Sequence, residues 1–208
     1  MPEMFKIEPI EVGEILCNCY LVHTDGRGII IDPGDEPERI IDMINKKKVT
    51  IDKIILTHGH IDHIRGVPEV KKATGAPVLI HPADAAMLAD AKANLSYYHD
   101  IAFATEAADG FLHENDIVEV GTNKFKVIHT PGHTPGGISL CTEGTVFSGD
   151  ALFWGSIGRT NFPGSDHDAL ISALTEKILI LPDETVVYPG HGPQTTVGFE
   201  KTTNPWLS

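Results

Sequence analysis

The motif T-H-G-H-I-D-H at residues 57–63 places three imidazoles and one carboxylate within a single short stretch of the chain. Neutral imidazole nitrogens and carboxylate oxygens are the usual protein ligands of zinc and of its first-row neighbours. A lone histidine is more often a surface or core residue than a ligand, but four ligand-type residues at this spacing favour a metal site. The motif follows residues 51–56, a β-branched apolar run that is typical of a buried strand. We therefore predict that this strand delivers a metal-binding turn to the edge of a sheet.

Three later turns repeat this arrangement, because each follows an apolar strand and combines glycine with a ligand-type residue. The seven candidate metal ligands are then His58, His60, Asp62, His63, His133, Asp150 and His191. One catalytic zinc ion takes about three protein ligands, so seven ligands suit two metal ions about 3.5–4 Å apart. Asp150 lies between the other candidates in the sequence and is the expected bridging carboxylate.

Alternating strands and helices must position these turns, and their pattern predicts a layered α/β architecture. The apolar periodicity predicts strands over residues 4–12, 15–22, 28–32, 51–56, 77–81, 117–120, 124–129, 138–141, 145–148 and 185–188. It predicts helices over residues 37–48, 67–74, 82–93 and 169–181. Residues 94–112 form an irregular aromatic loop that either walls a pocket or packs on the core. No linker interrupts the pattern, so we expect one domain over residues 1–208 with two similar halves.

Composition excludes several classes of partner. Hydrophobic residues at 41% and charged residues at 22% are ordinary for a globular domain of 208 residues. The net charge of −13 argues against a nucleic-acid partner, because such binding depends on Lys and Arg that neutralise phosphates. No apolar run approaches 18 residues, and residues 1–5 lack the features of a signal peptide. We therefore expect a cytoplasmic protein without a membrane partner, whose three cysteines, Cys17, Cys19 and Cys141, are reduced.

Several motifs together resemble the metallo-β-lactamase superfamily, and more narrowly its small glyoxalase II-like hydrolases, the hydroxyacylglutathione hydrolases. The resemblance covers nearly the whole chain. It is carried by I-D-P-G at residues 31–34, T-H-G-H-I-D-H at 57–63, T-P-G-H-T-P-G at 130–136, S-G-D at 148–150 and P-G-H-G at 189–192. The stretch G-S-I-G-R-T-N-F-P-G at residues 155–164 resembles the sequences of the glyoxalase-like branch of this superfamily.

The resemblance implies a four-layer αββα sandwich and a site for two divalent cations, zinc in the first place, with iron or manganese as alternatives. It implies one cation held by His58, His60 and His133, and another held by Asp62, His63 and His191. Asp150 would lie between the two cations, and Asp62 and Asp150 would act in catalysis. The implied reaction is hydrolysis of a small-molecule thioester, an S-2-hydroxyacyl thiol, to a hydroxy acid and a thiol by a hydroxide that bridges the cations.

Two departures from the family pattern bear on specificity. Asn161 stands where the family usually carries aspartate, so an ion pair between that position and Arg159 is not expected. Larger family members add a C-terminal helical domain that contributes to glutathione binding, whereas this sequence ends soon after the last metal motif. Thioester hydrolysis is therefore the firmer expectation, and glutathione as the thiol is the weaker one.

The sequence leaves alternatives open. A related persulfide dioxygenase would hold one iron through His58, His133 and Asp150. A non-catalytic metal-binding module is a second alternative, but its expected signature is a lost ligand, and none of the seven is missing. Lactonase or β-lactamase activity is less favoured, because the stretch after Asp150 resembles the thioesterase branch. Asp32 is either a loop carboxylate or an acceptor that orients a metal-binding histidine. His129 is expected to pack rather than to bind metal, since it lies within the end of a strand.

Overall fold

The computed structural model describes residues 5–207, in which two six-stranded β-sheets pack face to face. The strands of the first sheet lie side by side in their chain order. They are β1 (Lys6–Val12), β2 (Cys17–Thr24), β3 (Arg27–Ile31), β4 (Thr50–Ile55), β5 (Val78–Ile80) and β6 (Gly110–Phe111). The pairs from β1 to β3 are antiparallel, and the pairs from β3 to β6 are parallel. The parallel half therefore turns the carboxyl ends of its strands toward one edge.

The remaining strands form the second sheet and a small hairpin. They are β7 (Ile117–Val120), β8 (Asn123–His129), β9 (Ile138–Thr142), β10 (Thr145–Gly149), β11 (Leu152–Phe153), β12 (Ser156–Ile157), β13 (Val186–Pro189) and β14 (Thr195–Thr196). The spatial order of the second sheet is β14-β13-β10-β9-β8-β7, and β11 pairs with β12 outside it. Strands β10 and β13 are parallel, so their carboxyl ends also share an edge.

Helices cover the outer face of each sheet. They are α1 (Pro37–Lys47), α2 (Ile61–Ile64), α3 (Val67–Thr74), α4 (His167–Ala173) and α5 (Val197–Thr203). Ile40 of α1 and Val70 of α3 are buried in a core that also contains Ile30 of the first sheet. Leu170 of α4 and Val197 of α5 are buried in a separate core beside the second sheet. The layers are therefore helix, sheet, sheet and helix, which confirms the predicted αββα sandwich.

The central strands are buried on both faces, which explains why their sequences are continuous apolar runs. Successive side chains of a strand point to opposite faces of the sheet. In β3, Ile29 and Ile31 face the second sheet, whereas Ile30 faces the helices. Across the interface between the sheets, the rings of Tyr20 and Phe147 meet edge to face with centroids 5.1 Å apart. A slip of one residue in the register of β3 would exchange its two buried faces.

Backbone hydrogen bonds join the turns that follow β4, β10 and β13 to one another and to the amino ends of β2 and β9. The amide of Ile138 donates to the carbonyl of Thr57, which follows β4, at 2.9 Å. The amide of Asn18 in β2 donates to the carbonyl of Gly190, which follows β13, at 2.7 Å. The amide of Gly190 in turn donates to the carbonyl of Gly149 at 2.8 Å. The turns that follow β4, β10 and β13 are therefore held at one common rim.

Most predicted elements are present, with end shifts of no more than two residues, and only Met4 of the first predicted strand lies outside the described residues. Two helix predictions were wrong in detail. Residues Pro82–Ala89 form a 3₁₀ helix in place of the α-helix predicted for 82–93. The last predicted helix begins at His167 and continues as a π-helical turn over Leu174–Ile178. Strands β6, β11, β12 and β14 were not predicted, because two residues are too few to show a period. Helices α2 and α5, of four and seven residues, were not predicted either.

The aromatic loop at residues 94–112 contains a 3₁₀ turn over Ser96–His99 and the short strand β6, so it is less irregular than expected. Phe103 packs against the core of the first sheet. Tyr97, Tyr98 and Phe111 are exposed by half or more of their surface. The loop therefore packs on the core through one ring and leaves the other three in contact with solvent.

The cysteines and the helices bear on two expectations drawn from the composition, namely reduced thiols and no membrane-spanning segment. All three cysteines are free, and Cys17 and Cys19 are buried. Burial is the largest cause that raises the pKa of the Cys17 thiol, to about 12. Within residues 5–207, none of the helices combines the length and the apolar character that a bilayer span requires.

The interface between the two sheets gives a stability prediction. Phe147 is buried and touches the rings of Tyr20, Phe125 and Tyr188. We expect Phe147→Ala to lower the free energy of unfolding by about 3–5 kcal/mol, because it removes a large buried ring and leaves a cavity. Phe111→Ala is the matched control, since Phe111 is 52% exposed, and it should change stability far less. Denaturant unfolding of both variants measures the difference, and equal losses would contradict this account of the core.

Candidate metal centre

All seven candidate ligands predicted from the sequence lie together at the common rim of the two sheets. Thr57, His58 and Gly59 follow β4, and the short helix α2 then presents Asp62 and His63. Three other turns, after β8, β10 and β13, carry His133, Asp150 and His191. The potential ligand atoms fall into three overlapping groups, each with atoms within 4.8 Å of one another. The groups are His58, His60 and His133; His58, His63 and Asp150; and Asp62, His63 and His191.

Short contacts between ring nitrogens define two halves of this cluster. In one half, Nδ1 of His60 lies 2.9 Å from Nε2 of His133. In the other half, Nε2 of His63 lies 3.3 Å from Nε2 of His191, which is itself 3.1 Å from Oδ2 of Asp62. Two nitrogens that bind one tetrahedral zinc ion at about 2.05 Å are about 3.3 Å apart. Both nitrogen pairs are therefore close to the spacing of two ligands on one ion.

The carboxylate of Asp150 lies between the two halves. Its Oδ2 is 3.4 Å from Nε2 of His133 and 3.7 Å from Nε2 of His191. Its Oδ1 is 3.3 Å from Nε2 of His63. One carboxylate thus reaches ring nitrogens of both halves, which is the geometry that a bridging ligand requires.

Protein acceptors outside the cluster assign the tautomers of four histidines. Nδ1 of His133 donates to the carbonyl of Arg159 at 2.8 Å, and Nδ1 of His191 donates to the carbonyl of Ile15 at 3.1 Å. Nδ1 of His63 donates to Oδ2 of Asp32 at 2.9 Å. In a neutral imidazole the second nitrogen is then an acceptor with a lone pair. Once these rings are neutral, as metal ligands must be, their Nε2 lone pairs point toward the centre.

His58 completes this pattern through Thr57. The hydroxyl of Thr57 donates to Asp32 at 2.6 Å, so its oxygen accepts from Nδ1 of His58 at 3.1 Å. The opposite nitrogen, Nε2 of His58, is buried and has no hydrogen-bond partner, and Oδ1 of Asp150 is likewise buried and unpartnered. Buried polar atoms without a partner are rare in folded proteins and need a physical explanation. A cation bound among these atoms would satisfy both, so the donor set fits divalent metal ions.

The protonation tendencies of the cluster agree with a site for cations. Burial lowers the pKa of His58 well below its usual value and lowers that of His60 to about 3, which keeps both rings neutral. Burial also lowers the pKa of His63, but the groups around it, first Cys17 and then Asp150, outweigh burial and raise it well above its usual value. Burial raises the pKa of the Asp150 carboxyl, and the surrounding imidazoles, first that of His63, lower it further than burial raises it. The centre therefore holds ionised carboxylates that attract positive charge.

Asp32 takes the second of its two predicted roles, that of an acceptor which orients a histidine. Its side chain is buried and accepts from the amide of Thr57 at 2.7 Å, from the Thr57 hydroxyl, and from Nδ1 of His63. Its backbone has a φ of 50°, which aspartate tolerates better than most residues. Asp32 therefore links the turn after β3 to Thr57 and His63, which lie at the two ends of the T-H-G-H-I-D-H motif.

His129 packs outside the cluster, in agreement with its predicted role. Its ring stacks on that of His81 at 4.2 Å with an angle of 9°, and its Nε2 donates to the carbonyl of Pro135 at 3.0 Å.

Three further parts of the site were not predicted from the sequence. They are the carbonyls of Arg159 and Ile15 and the buried carboxylate of Asp84, which accepts from the amides of Gly59 and Gly136. Carbonyls carry no sequence signal, and Asp84 lies in a segment without any ligand-type spacing.

Aromatic and apolar side chains surround the open side of the cluster. The ring of Phe162 lies edge to face with His60 at 5.4 Å and with His133 at 5.8 Å. The guanidinium of Arg159 lies over the same ring, 4.5 Å from its centroid. On the other side, Phe153 contacts His191 at 6.2 Å. A small molecule that approached the centre would therefore contact aromatic edges and one arginine.

The role of Asp32 gives a testable prediction about metal binding. Asp32→Ala should weaken binding of Zn²⁺ by about 10–100-fold, because Thr57 and His63 lose the acceptor that orients them. Competition with a chromophoric chelator measures this affinity. Asp25→Ala is the matched control, since Asp25 also has a φ of 50° but lies exposed in a hairpin turn. Unchanged affinity in Asp32→Ala would contradict the orienting role.

Comparison with known proteins gives a consistent result. The model of the metallo-beta-lactamase superfamily matches residues 12–191. The chain is 35% identical over 212 residues to a hydroxyacylglutathione hydrolase, GloC, of Haemophilus influenzae, with 98% of each chain covered. The crystal structure of BLEG-1 B3 metallo-beta-lactamase is similar at a TM-score of 0.92 and 39% identity, covering 99% of this chain and 100% of that one. TTHA1623 in a di-iron-bound form is similar at a TM-score of 0.86 and 38% identity, covering 96% and 100%.

The match with the family model spans most of the chain, and these similarities extend over nearly the full length of each partner. The chain belongs to the metallo-β-lactamase superfamily.

Proposed function

We propose that this protein is a metal-dependent hydrolase that cleaves a small-molecule thioester, an S-2-hydroxyacyl thiol, to a hydroxy acid and a thiol. The observation that carries the proposal is the convergence of five imidazoles and two carboxylates on one largely buried centre, at which Asp62 and His191 remain partly exposed. The similarity to a relative named hydroxyacylglutathione hydrolase supports the choice of a thioester.

The proposed ligands form two sets, which match the two groups of short contacts within the cluster. His58, His60 and His133 would hold one cation, Asp62, His63 and His191 would hold another, and Asp150 would lie between them. We favour zinc, with iron or manganese as alternatives. A bound pair of such cations lowers the pKa of water toward neutrality and polarises a carbonyl. The protein's own contribution is to hold four of the five imidazoles in one tautomer through Asp32, Thr57 and the outer carbonyls.

The side chains near the centre offer no protein nucleophile. The hydroxyl of Ser148 is buried and donates to the carbonyl of Leu152 at 2.8 Å. Cys17 lies 3.5 Å from Nδ1 of His63, but its burial and raised pKa keep it a thiol. A thiol is a poor nucleophile, because reactivity belongs to the thiolate. Water is therefore the proposed attacking group.

The protonation state of the carboxylates favours a thioester over an amide. Asp62 and Asp150 both have lowered pKa values, so they are ionised at neutral pH and cannot donate a proton to a leaving group. An amine leaving group needs such a proton, whereas a thiol with a pKa of about 8.5 leaves readily as its anion. Cleavage of a thioester therefore does not require a proton from Asp62 or Asp150, whereas cleavage of an amide does.

Two other activities have specific support and belong in the same test. The similarity to a structure described as a B3 metallo-β-lactamase favours β-lactam hydrolysis as a second candidate. A similar structure was solved in a di-iron-bound form, which supports iron as an alternative metal. The persulfide dioxygenase alternative, with one iron held by His58, His133 and Asp150, stays a prediction. All three use the same cluster, so substrate and metal panels must distinguish them.

The first experiment combines metal analysis with a substrate panel. We expect the as-purified protein to contain two divalent metal ions and to release free thiol from S-lactoylglutathione faster than it opens a chromogenic cephalosporin. Asp150→Asn should lower kcat/KM by at least about 100-fold, because the bridging charge is lost. Asp168→Asn, on the exposed surface of α4, should leave it unchanged. One iron per chain with oxygen uptake on a persulfide, or faster cephalosporin opening, would overturn the thioester proposal.

Arg159 lies beside the metal centre and differs from the other arginines in its partners. Among residues 5–207, Arg27, Arg39 and Arg65 each pair with a carboxylate, whereas Arg159 pairs with none. Its Nε donates to the side-chain oxygen of Asn161 at 3.1 Å, and its guanidinium is held over the ring of Phe162. The absence of a carboxylate agrees with the aspartate-to-asparagine difference noted in the sequence. We propose that this unpaired cation attracts an anionic group of the substrate.

The predicted effect of Arg159 is on KM for charged substrates. Arg159→Gln should raise KM about tenfold for a thioester with a carboxylate on its thiol part, because a charge-assisted hydrogen bond is lost. It should change KM little for a neutral thioester with the same acyl group. Arg27→Gln is the control, since Arg27 pairs with Asp52 on the surface. An equal change for both substrates would exclude charge recognition by Arg159.

A further inference from the structure

The carboxylate of Asp84 joins two turns that are far apart in the sequence. Asp84 lies in the 3₁₀ segment Pro82–Ala89, and its side chain is fully buried. Its Oδ2 accepts from the amide of Gly59 at 3.3 Å, and its Oδ1 accepts from the amide of Gly136 at 2.6 Å. Gly59 lies between His58 and His60, and Gly136 lies three residues after His133. One carboxylate therefore holds the two turns that carry the three histidines of one half of the cluster.

The backbone of the same segment packs tightly against both turns. A Cβ atom added to Gly59 would lie 2.6 Å from Cβ of Met87. A Cβ atom added to Gly136 would lie 2.7 Å from both the amide nitrogen and Oδ1 of Asp84. Real Cβ atoms do not approach other atoms so closely, so only glycine permits this packing. The 3₁₀ segment, rather than the Asp84 side chain alone, is fitted to the two turns.

Asp84 has no cationic partner that would explain its burial. Within residues 5–207 no lysine, arginine or histidine forms an ion pair with it, and its two carboxylate oxygens accept from backbone amides of different turns. Burying a carboxylate is costly unless hydrogen bonds to it are retained. A purely local role, such as capping its own helix, would use an amide of the same segment. The contacts of Asp84 instead reach residues 25 and 52 positions away.

The second half of the cluster does not depend on Asp84. Asp62 and His63 are presented by α2, and His63 is oriented by Asp32. His191 is oriented by the carbonyls of Ile15 and Leu16. None of these contacts involves the segment Pro82–Ala89. The two halves are therefore supported by different parts of the fold, which makes a selective effect of Asp84 measurable.

We propose that Asp84 is a positioning residue that pre-organises one of two cation sites, the one formed by His58, His60 and His133, by holding their two turns together. The inference rests on the proposed ligand assignment, but not on the identity of the substrate. Partners outside the ligand shell commonly change metal affinity by about 10–100-fold. Loss of Asp84 should therefore weaken one cation site and leave the other almost unaffected.

The test measures Zn²⁺ binding to metal-free protein with a chromophoric competitor, without any substrate. The wild type is expected to bind two ions, and Asp84→Asn should weaken one of them by about 10–100-fold while the other changes less than about twofold. Asp84→Asn preserves volume and one acceptor, so it serves if Asp84→Ala does not fold. Asp90→Asn is the matched control, because Asp90 also accepts from two backbone amides but is exposed beyond the same segment.

Two backgrounds identify which site is affected. In His191→Ala, which retains the His58, His60 and His133 site, the added Asp84→Asn change should lower the remaining affinity by the same factor. In His60→Ala, which retains the other site, it should have no effect. The absorption spectrum of bound Co²⁺ should change only in the first background. Equal weakening in both backgrounds, or none in either, would overturn the proposal, while an inactive enzyme with this binding pattern would overturn only the hydrolase proposal.

Discussion

Lone pairs of imidazole nitrogens and two carboxylate groups share one buried volume at the rim where both sheets meet. Groups of this kind repel one another in a medium of low dielectric constant unless positive charge lies between them. The rest of the structure can be understood as a means of holding them together despite that repulsion. Rigid strands end at the rim, short turns bring the side chains inward, and hydrogen bonds across the rim prevent the turns from separating.

The outer acceptors are as important to the chemistry as the inner donors. Asp32, Thr57 and several main-chain carbonyls each accept a hydrogen bond from Nδ1 of one imidazole, and each contact leaves the opposite nitrogen free to bind. The acceptors come from segments that are distant in the chain, including the loop after β1 and the turn after β12. Two separate halves with separate supports agree with a site for two cations, since each half presents its own set of inward-facing nitrogens.

Much of the fold followed from local patterns. The strands buried on both faces and helix α1 were predicted almost to the residue, because apolar runs and a helical stripe leave few other choices. The alanine content of residues 82–93 predicts a helix, yet the structure has a shorter 3₁₀ helix over Pro82–Ala89. Its close contacts with Gly59 and Gly136 constrain it, and such contacts between distant residues override a weak helical propensity.

The sequence by itself determined the types of ligand and the turns that carry them, because imidazoles, carboxylates and glycines after apolar strands are visible one segment at a time. Only the tertiary structure decided which groups meet, that Asp32 orients His63, and that Asp84 joins two turns. The physical reason is that hydrogen bonds between distant segments depend on strand order and packing. Neither property is encoded in the spacing of residues within any one segment.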